Sequence, residues 1–197
     1  MVTTAHYFTF FRILISPLFP IFYLKFSSFG ISLQVLPFLL LVILTLCEFS
    51  DIFDGFIARK KGEVTDLGKI LDPIADSITR ITIFFTFTQG FIGIPMLWVF
   101  VFLYRDFLIS ALRTVCALKG YALAARKSGK LKAIFQGGSA YIIVLCMIPY
   151  SWGALSLEML QNISYFLVVF TSIYTLASAF DYFIANRGYI KKIIQGK

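Results

Sequence analysis

The stretch Ile31–Asp54, ISLQVLPFLLLVILTLCEFSDIFD, is almost wholly apolar up to Phe49 and then ends on two carboxylates, Asp51 and Asp54. About 20 apolar residues suffice for a helix to cross the hydrocarbon core of a bilayer. The stretch therefore reads as a membrane span that delivers two acids to one membrane face. Five similar stretches lie on either side of it: Phe8–Phe26, Ile70–Thr88, Ile92–Cys116, Ile134–Trp152 and Met159–Ala185. Gly30, Gly90–Gly93 and Trp152–Gly153 mark tight turns between neighbours. The first stretch has Arg12 in its middle and no small-residue cleavage site, so it is expected to be a retained helix and not a signal peptide. Pro17 and Pro20 are expected to bend it or end it early.

The whole chain agrees with this reading. Its 197 residues are 59% hydrophobic and only 14% charged, and the mean hydropathy is +0.85. Soluble domains are roughly 45–50% apolar and about 25% charged. The composition excludes a disordered chain, a coiled coil and a nucleic-acid-binding module. The expectation is an all-α integral membrane protein, six transmembrane helices in a single domain over residues 1–197.

Charge sets the orientation. Of 18 Lys and Arg, 13 fall on three alternate connections. Arg59, Lys60, Lys61 and Lys69 form the first group. Lys119, Arg126, Lys127, Lys130 and Lys132 form the second, and Arg187, Lys191, Lys192 and Lys197 the third. Basic loops stay in the cytoplasm, so both termini are expected there, in a cell (inner) membrane. Cys47, Cys116 and Cys146 lie in apolar surroundings without a CxxC pair and read as packing residues. His6 is the single histidine, which argues against His-based catalysis or a His metal cluster.

The acids are unusually placed. Seven of the ten lie between Glu48 and Asp76. Asp51 and Asp54 are spaced i, i+3, and Asp72 and Asp76 are spaced i, i+4, so each pair shares a helix face. Glu63 and Asp66 fall in the loop between them and read as solvated. Four carboxylates brought together near a bilayer repel one another and need a cation. With no His or Cys beside them, the ion is expected to be hard: Mg²⁺ or Mn²⁺, with carboxylates enough for two. Two-metal sites serve phosphoryl transfer, and small residues alongside, Gly55 and Ala58, let a nucleotide approach the backbone.

The pattern Asp51-x2-Asp54-Gly55-x2-Ala58-Arg59-x8-Gly68-x3-Asp72-x3-Asp76 matches the CDP-alcohol phosphotransferase signature at every defined position. The chain is thus similar to a family of six-helix membrane enzymes that transfer a phosphatidyl group from a CDP-linked lipid to an alcohol. The resemblance implies that Asp51, Asp54, Asp72 and Asp76 hold two divalent metals, and that Asp76 is also the base for the acceptor hydroxyl. It implies that Asp51, Gly55, Ala58, Arg59 and Gly68 contact the CDP moiety, and that the protein is a homodimer.

A second, basic set bears on the acceptor. Arg105 lies inside the fourth stretch, with Arg113 two turns further on, and Lys130 and Lys132 flank the start of the fifth, followed by Gln136. An Arg within the membrane has a partner or a functional anion. Arg105 is therefore expected either to pair, with Asp106 or another helix, or to bind substrate phosphate. Lys119, Arg126 and Lys127 read as solvated topology charges. Arg12 and Arg80 are expected to snorkel or to pair with acids. The segment resembles that of the family's phosphatidylglycerophosphate synthases, with Asp106 at a usual Glu and Ala133 at a usual Thr. That resemblance implies CDP-diacylglycerol and glycerol 3-phosphate as substrates, with Arg105, Arg113, Lys130 and Lys132 on the acceptor phosphate. Two readings stand beside it. One is the same chemistry with phosphatidylglycerol, as in cardiolipin synthase, or with serine or inositol phosphate. The other is an ion-coupled carrier, because intramembrane acids also mark ion paths.

Overall fold

The computed structural model describes residues 4–61, 66–118 and 126–194, with side chains described for 9–50, 53, 71–118 and 126–191. Among the described residues every regular element is helical: α1 (Thr4–Ile15), α2 (Leu18–Lys25), a 3₁₀ turn (Phe26–Phe29), α3 (Leu36–Lys61), α4 (Asp66–Phe87), α5 (Met96–Leu118), α6 (Lys127–Ser151) and α7 (Leu157–Ile194). Of the two prolines expected to break the first apolar stretch, Pro17 does so, while Pro20 lies in the first turn of α2, where no helical N–H is needed. Pro17 has no N–H to donate, α1 stops at Ile15, and α2 starts at Leu18.

Helix contacts close a ring in the order α1, α3, α6, α7, α5, α4, and α2 continues α1 against α3 and α4. In addition, α4 touches both α3 and α6. One end of the ring is an apolar core built on Phe19, Leu40, Phe84, Phe87, Phe102 and Met147. Glycine is required at the α4–α5 turn. Gly90 has φ +67°, and a Cβ there would come within 2.9 Å of the Tyr23 ring. The Tyr23 hydroxyl in turn donates to the Gln89 carbonyl and accepts from the Ile92 N–H, each at 3.2 Å.

Hydroxyls tie the helices where side chains are small. Ser139 of α6 and Thr171 of α7 lie 2.7 Å apart, and Ser172 donates to the Trp98 carbonyl of α5 at 3.3 Å. Ser164, Thr171, Ser172, Thr175 and Ser178 form the buried stripe of α7, while Phe166, Phe170, Ile173, Phe180 and Ile184 cover its outside. Lipid offers no hydrophobic drive for helix association, so close approach over small residues and hydroxyl bonds carries much of the packing.

Among the described residues, three segments are long and apolar enough to cross a membrane: Thr9–Phe29, Lys127–Ser151 and Leu157–Lys191. Leu36–Ser50 of α3 is a shorter apolar helix. The interiors of α4 and α5 are interrupted by Asp72, Asp76 and Arg80, and by Arg105, Asp106 and Arg113. The expected spans also differ from the helices at their ends. α3 runs past its apolar stretch to Lys61, α6 starts at Lys127, before Ile134, and α7 continues past Ala185 to Ile194. Charged turns extend these helices at the end of the ring where the polar groups gather. The three cysteines are free, Cys47 and Cys116 fully buried and Cys146 partly so.

Candidate active site

Helix α4 supplies the acidic side. Asp72 and Asp76, one turn apart, line a cavity of about 310 Å³. Pro73 between them, inside the helix, has no N–H to give to the carbonyl four residues back. Asp72 Oδ1 accepts a hydrogen bond from the Thr9 hydroxyl of α1 at 2.8 Å. Asp76 Oδ1 lies 3.0 Å from Arg80 Nη2, one turn on, and the same nitrogen is 3.8 Å from Glu48 of α3. Arg80 therefore pairs with acids, one of the two outcomes expected for it.

The side chains of Asp51, Asp54, Gly55, Ala58, Arg59 and Gly68 lie outside the described residues. Their backbone places Asp51, Asp54, Gly55, Ala58 and Arg59 on the last turns of α3 and Gly68 on the first turn of α4. These two helices touch. No group of three His, Cys, Asp or Glu side chains that could hold a metal occurs among the described residues. Asp72 and Asp76 nonetheless fit a hard cation. Each presents only oxygen, and both face one cavity.

Helices α5 and α6 supply the basic side. Arg105, Arg113, Lys130 and Lys132 all line the cavity that holds Asp72 and Asp76. The predicted acceptor set and half of the predicted metal set are thus brought together across three helices. Gln136 is buried on the next turn of α6 and does not line the cavity.

Three groups support these cations; of their contacts only the Arg105–Asp106 pair was among the outcomes expected from sequence. The first is Asp106, whose side chain is 2% exposed. Lys132 Nζ donates to both its oxygens at 2.9 Å, Arg105 Nη1 donates at 2.9 Å, and the Ser77 hydroxyl at 3.3 Å. One carboxylate thus holds two of the predicted phosphate ligands. An acid inside a span signals a cationic partner, which pointed to adjacent Arg105; Lys132 is 26 residues away. The second is Tyr182 of α7, buried beneath Arg113. The guanidinium carbon lies 5.6 Å from the ring centre, and Nε donates to the hydroxyl at 3.4 Å. The third is Asp181, which accepts two parallel bonds of 2.8 Å from Arg126 and one from the Ser128 hydroxyl. Arg126, expected as a solvated charge, is instead paired and lines the cavity.

An acidic pair suited to a divalent ion and a set of oriented cations suited to a phosphate thus share one cavity in a helical bundle. These are the attributes of a membrane phosphotransferase. The profile of the CDP-alcohol phosphatidyltransferase family matches residues 2–181, and the chain belongs to that family. Among its relatives is the CDP-diacylglycerol–glycerol-3-phosphate 3-phosphatidyltransferase of Rickettsia typhi, 31% identical over 191 residues, covering 96% of this chain and 99% of the relative. The Wigglesworthia glossinidia brevipalpis protein of the same name is 33% identical, covering 84% of this chain and 94% of the relative. That of Bacillus subtilis is 28% identical over 74% of this chain and 72% of its own length.

Proposed function

We propose that this chain transfers the phosphatidyl group of CDP-diacylglycerol to sn-glycerol 3-phosphate, forming phosphatidylglycerol phosphate and CMP. The observation that carries the reading is the meeting of Asp72 and Asp76 with Arg105, Arg113, Lys130 and Lys132 around one cavity, together with the names of the relatives.

The acceptor's sn-1 oxygen attacks the lipid-side phosphorus, the bond from that phosphorus to the CMP oxygen breaks, and CMP departs with the electron pair. Asp76 takes the hydroxyl proton, with Arg80 beside it at 3.0 Å to orient the carboxylate. Asp51, Asp54, Asp72 and Asp76 would hold two Mg²⁺ or Mn²⁺ ions, which when bound supply positive charge to the diphosphate and the leaving phosphate. Asp51, Gly55, Ala58, Arg59 and Gly68 contact the CDP moiety. Arg105, Arg113, Lys130 and Lys132 bind the acceptor phosphate, and Asp106 holds Arg105 and Lys132 in place.

Purified protein in mixed micelles with CDP-diacylglycerol and Mg²⁺ is expected to release CMP with glycerol 3-phosphate. Phosphatidylglycerol, serine and inositol phosphate are expected to be poor acceptors. A preference for phosphatidylglycerol would reassign the acceptor, and absence of CMP release with every alcohol would favour a carrier. Arg105→Lys keeps the charge but loses the planar donor set. One charge-assisted bond is worth roughly 1.5–3 kcal/mol, so the KM for glycerol 3-phosphate should rise about ten- to a hundredfold. The KM for CDP-diacylglycerol should barely change. Unchanged acceptor kinetics in Arg105, Arg113, Lys130 and Lys132 variants would place the phosphate elsewhere.

The same reading sets six spans in the cell membrane, as a homodimer, with the termini and active site facing the cytoplasm. Cysteine introduced singly at Lys61, Lys127 or Lys197 should react with an impermeant reagent only from the cytoplasmic side. Labelling at position 127 from outside would overturn both the span count and the placement of the site.

A further inference from the structure

We propose that Arg126 is an additional ligand of the acceptor phosphate, and that Asp181 on α7 is the positioning residue that aims it into the cavity. The proposal rests on the reading of this cavity as the acceptor site.

Arg126 stands immediately before α6, with extended backbone (φ −94°, ψ 153°); its carbonyl accepts the Lys130 N–H at 3.3 Å, but its side chain does not follow the rows of the helix. Its direction comes from Asp181, 55 residues away, through paired bonds of 2.8 Å from Nε and Nη2. Ser128 donates to the same carboxylate and fixes its rotamer. A guanidinium has five N–H donors. The Asp181 fork uses two of them and leaves both protons of Nη1 and one of Nη2 for another acceptor. Arg126 also lines the cavity, alongside Arg105 and Lys130.

The Arg126 and Asp181 side chains are 40% and 39% exposed. An ion pair that open contributes little to stability, which leaves orientation as its main consequence. The neighbouring residue of α7, Tyr182, touches Arg113 through one hydrogen bond of 3.4 Å and its ring face. Two consecutive α7 residues thus brace cations that come from two different segments. A phosphate dianion can accept more bonds than Arg105 and Lys132 supply, because both of these already spend donors on Asp106. Arg126 adds a donor whose counter-ion lies outside the cavity wall.

The test is steady-state kinetics in mixed micelles, varying glycerol 3-phosphate and CDP-diacylglycerol in turn, with thermal unfolding in detergent as a parallel readout. Arg126→Gln should raise the acceptor KM roughly tenfold, the loss of one charge-assisted bond. Asp181→Asn should raise it less, because Arg126 remains but is no longer aimed. Asp181→Glu should recover part of that loss. The CDP-diacylglycerol KM and the unfolding temperature should stay near wild type. The exchanged pair Arg126→Asp with Asp181→Arg separates a tie from a ligand. It restores the ion pair but puts a carboxylate at the cavity, so the acceptor KM should remain high. Recovery of the acceptor KM in the exchanged pair would overturn the proposal. So would an unchanged acceptor KM in Arg126→Gln while Arg105→Lys raises it. If neither Arg105→Lys nor Arg126→Gln moves the acceptor KM, the acceptor reading of the cavity fails, and this inference with it.

Discussion

Asp72→Asn and Asp76→Asn should each lower CMP release by roughly 10³-fold, the scale of losing a catalytic base or a principal electrostatic contact. Asparagine has nearly the same shape as aspartate but no charge. In Asp72→Asn the amide oxygen can still accept the Thr9 hydroxyl bond seen at 2.8 Å, so the α1–α4 contact is retained. Asp76→Asn removes the charge 3.0 Å from Arg80, which keeps Glu48 at 3.8 Å. The folded, membrane-inserted protein should therefore persist in both variants while turnover collapses. Excess chelator should abolish the activity of the wild-type protein, and Mg²⁺ or Mn²⁺ should restore it. Mn²⁺ binding followed by electron paramagnetic resonance should weaken in both variants, and this readout is independent of turnover. Full activity in chelator would dismiss the two-metal mechanism.

The second large effect is on stability. Asp106→Asn should lower the stability of the protein by about 3–5 kcal/mol, the cost of leaving buried charge without its partner. Lys132 and Arg105 both direct donors at this carboxylate from 2.9 Å, and their side chains are 5% and 10% exposed. On one side of Asp106 lies the charged cavity. On the other an apolar cavity of about 480 Å³, lined by Ile78, Leu103 and Phe107, runs between α4 and α5. The surroundings offer little screening from that side. Without the negative charge, two cations repel across a few ångströms. Removing one of them as well, in Asp106→Asn with Lys132→Met, should recover part of the loss, and the double-mutant cycle measures the coupling. Asp106→Glu keeps the charge and should be the mildest of the three. Thermal unfolding in detergent is the measurement. Wild-type stability and acceptor KM in Asp106→Asn would show that the carboxylate holds neither cation.

The acidic half of the site was legible because its signal is local. Asp72 and Asp76 sit four residues apart, helical geometry alone puts them on one face, and both line the cavity. The break at Pro17 and the turns at Gly30, Gly90, Gly93 and Gly153, all at positive φ, were equally readable, because each follows from the backbone chemistry of one residue. The basic half was legible in part. Arg105, Arg113, Lys130 and Lys132 stood out as cations next to apolar runs, and they do converge.

The adjacent Arg105–Asp106 pair was legible in the chain, but the distant counter-charges were not. Asp106 meets Lys132 across 26 positions, and Asp181 meets Arg126 across 55. Separations of that size carry no periodic signal, so the chain alone gives such an acid no partner beyond its immediate neighbours. The helix ends were hidden for a related reason. Hydropathy stops at Ile134, yet α6 begins at Lys127, because Asp181 accepts the bonds of Arg126 and Ser128 at its first turn. Local spacing and apolar length thus single out the acids and cations of the cavity and place them on helices. Which carboxylate balances which cation, and hence where each donor points, depends on the packing of α5, α6 and α7, because a buried or aimed charge takes its partner from whatever helix lies beside it.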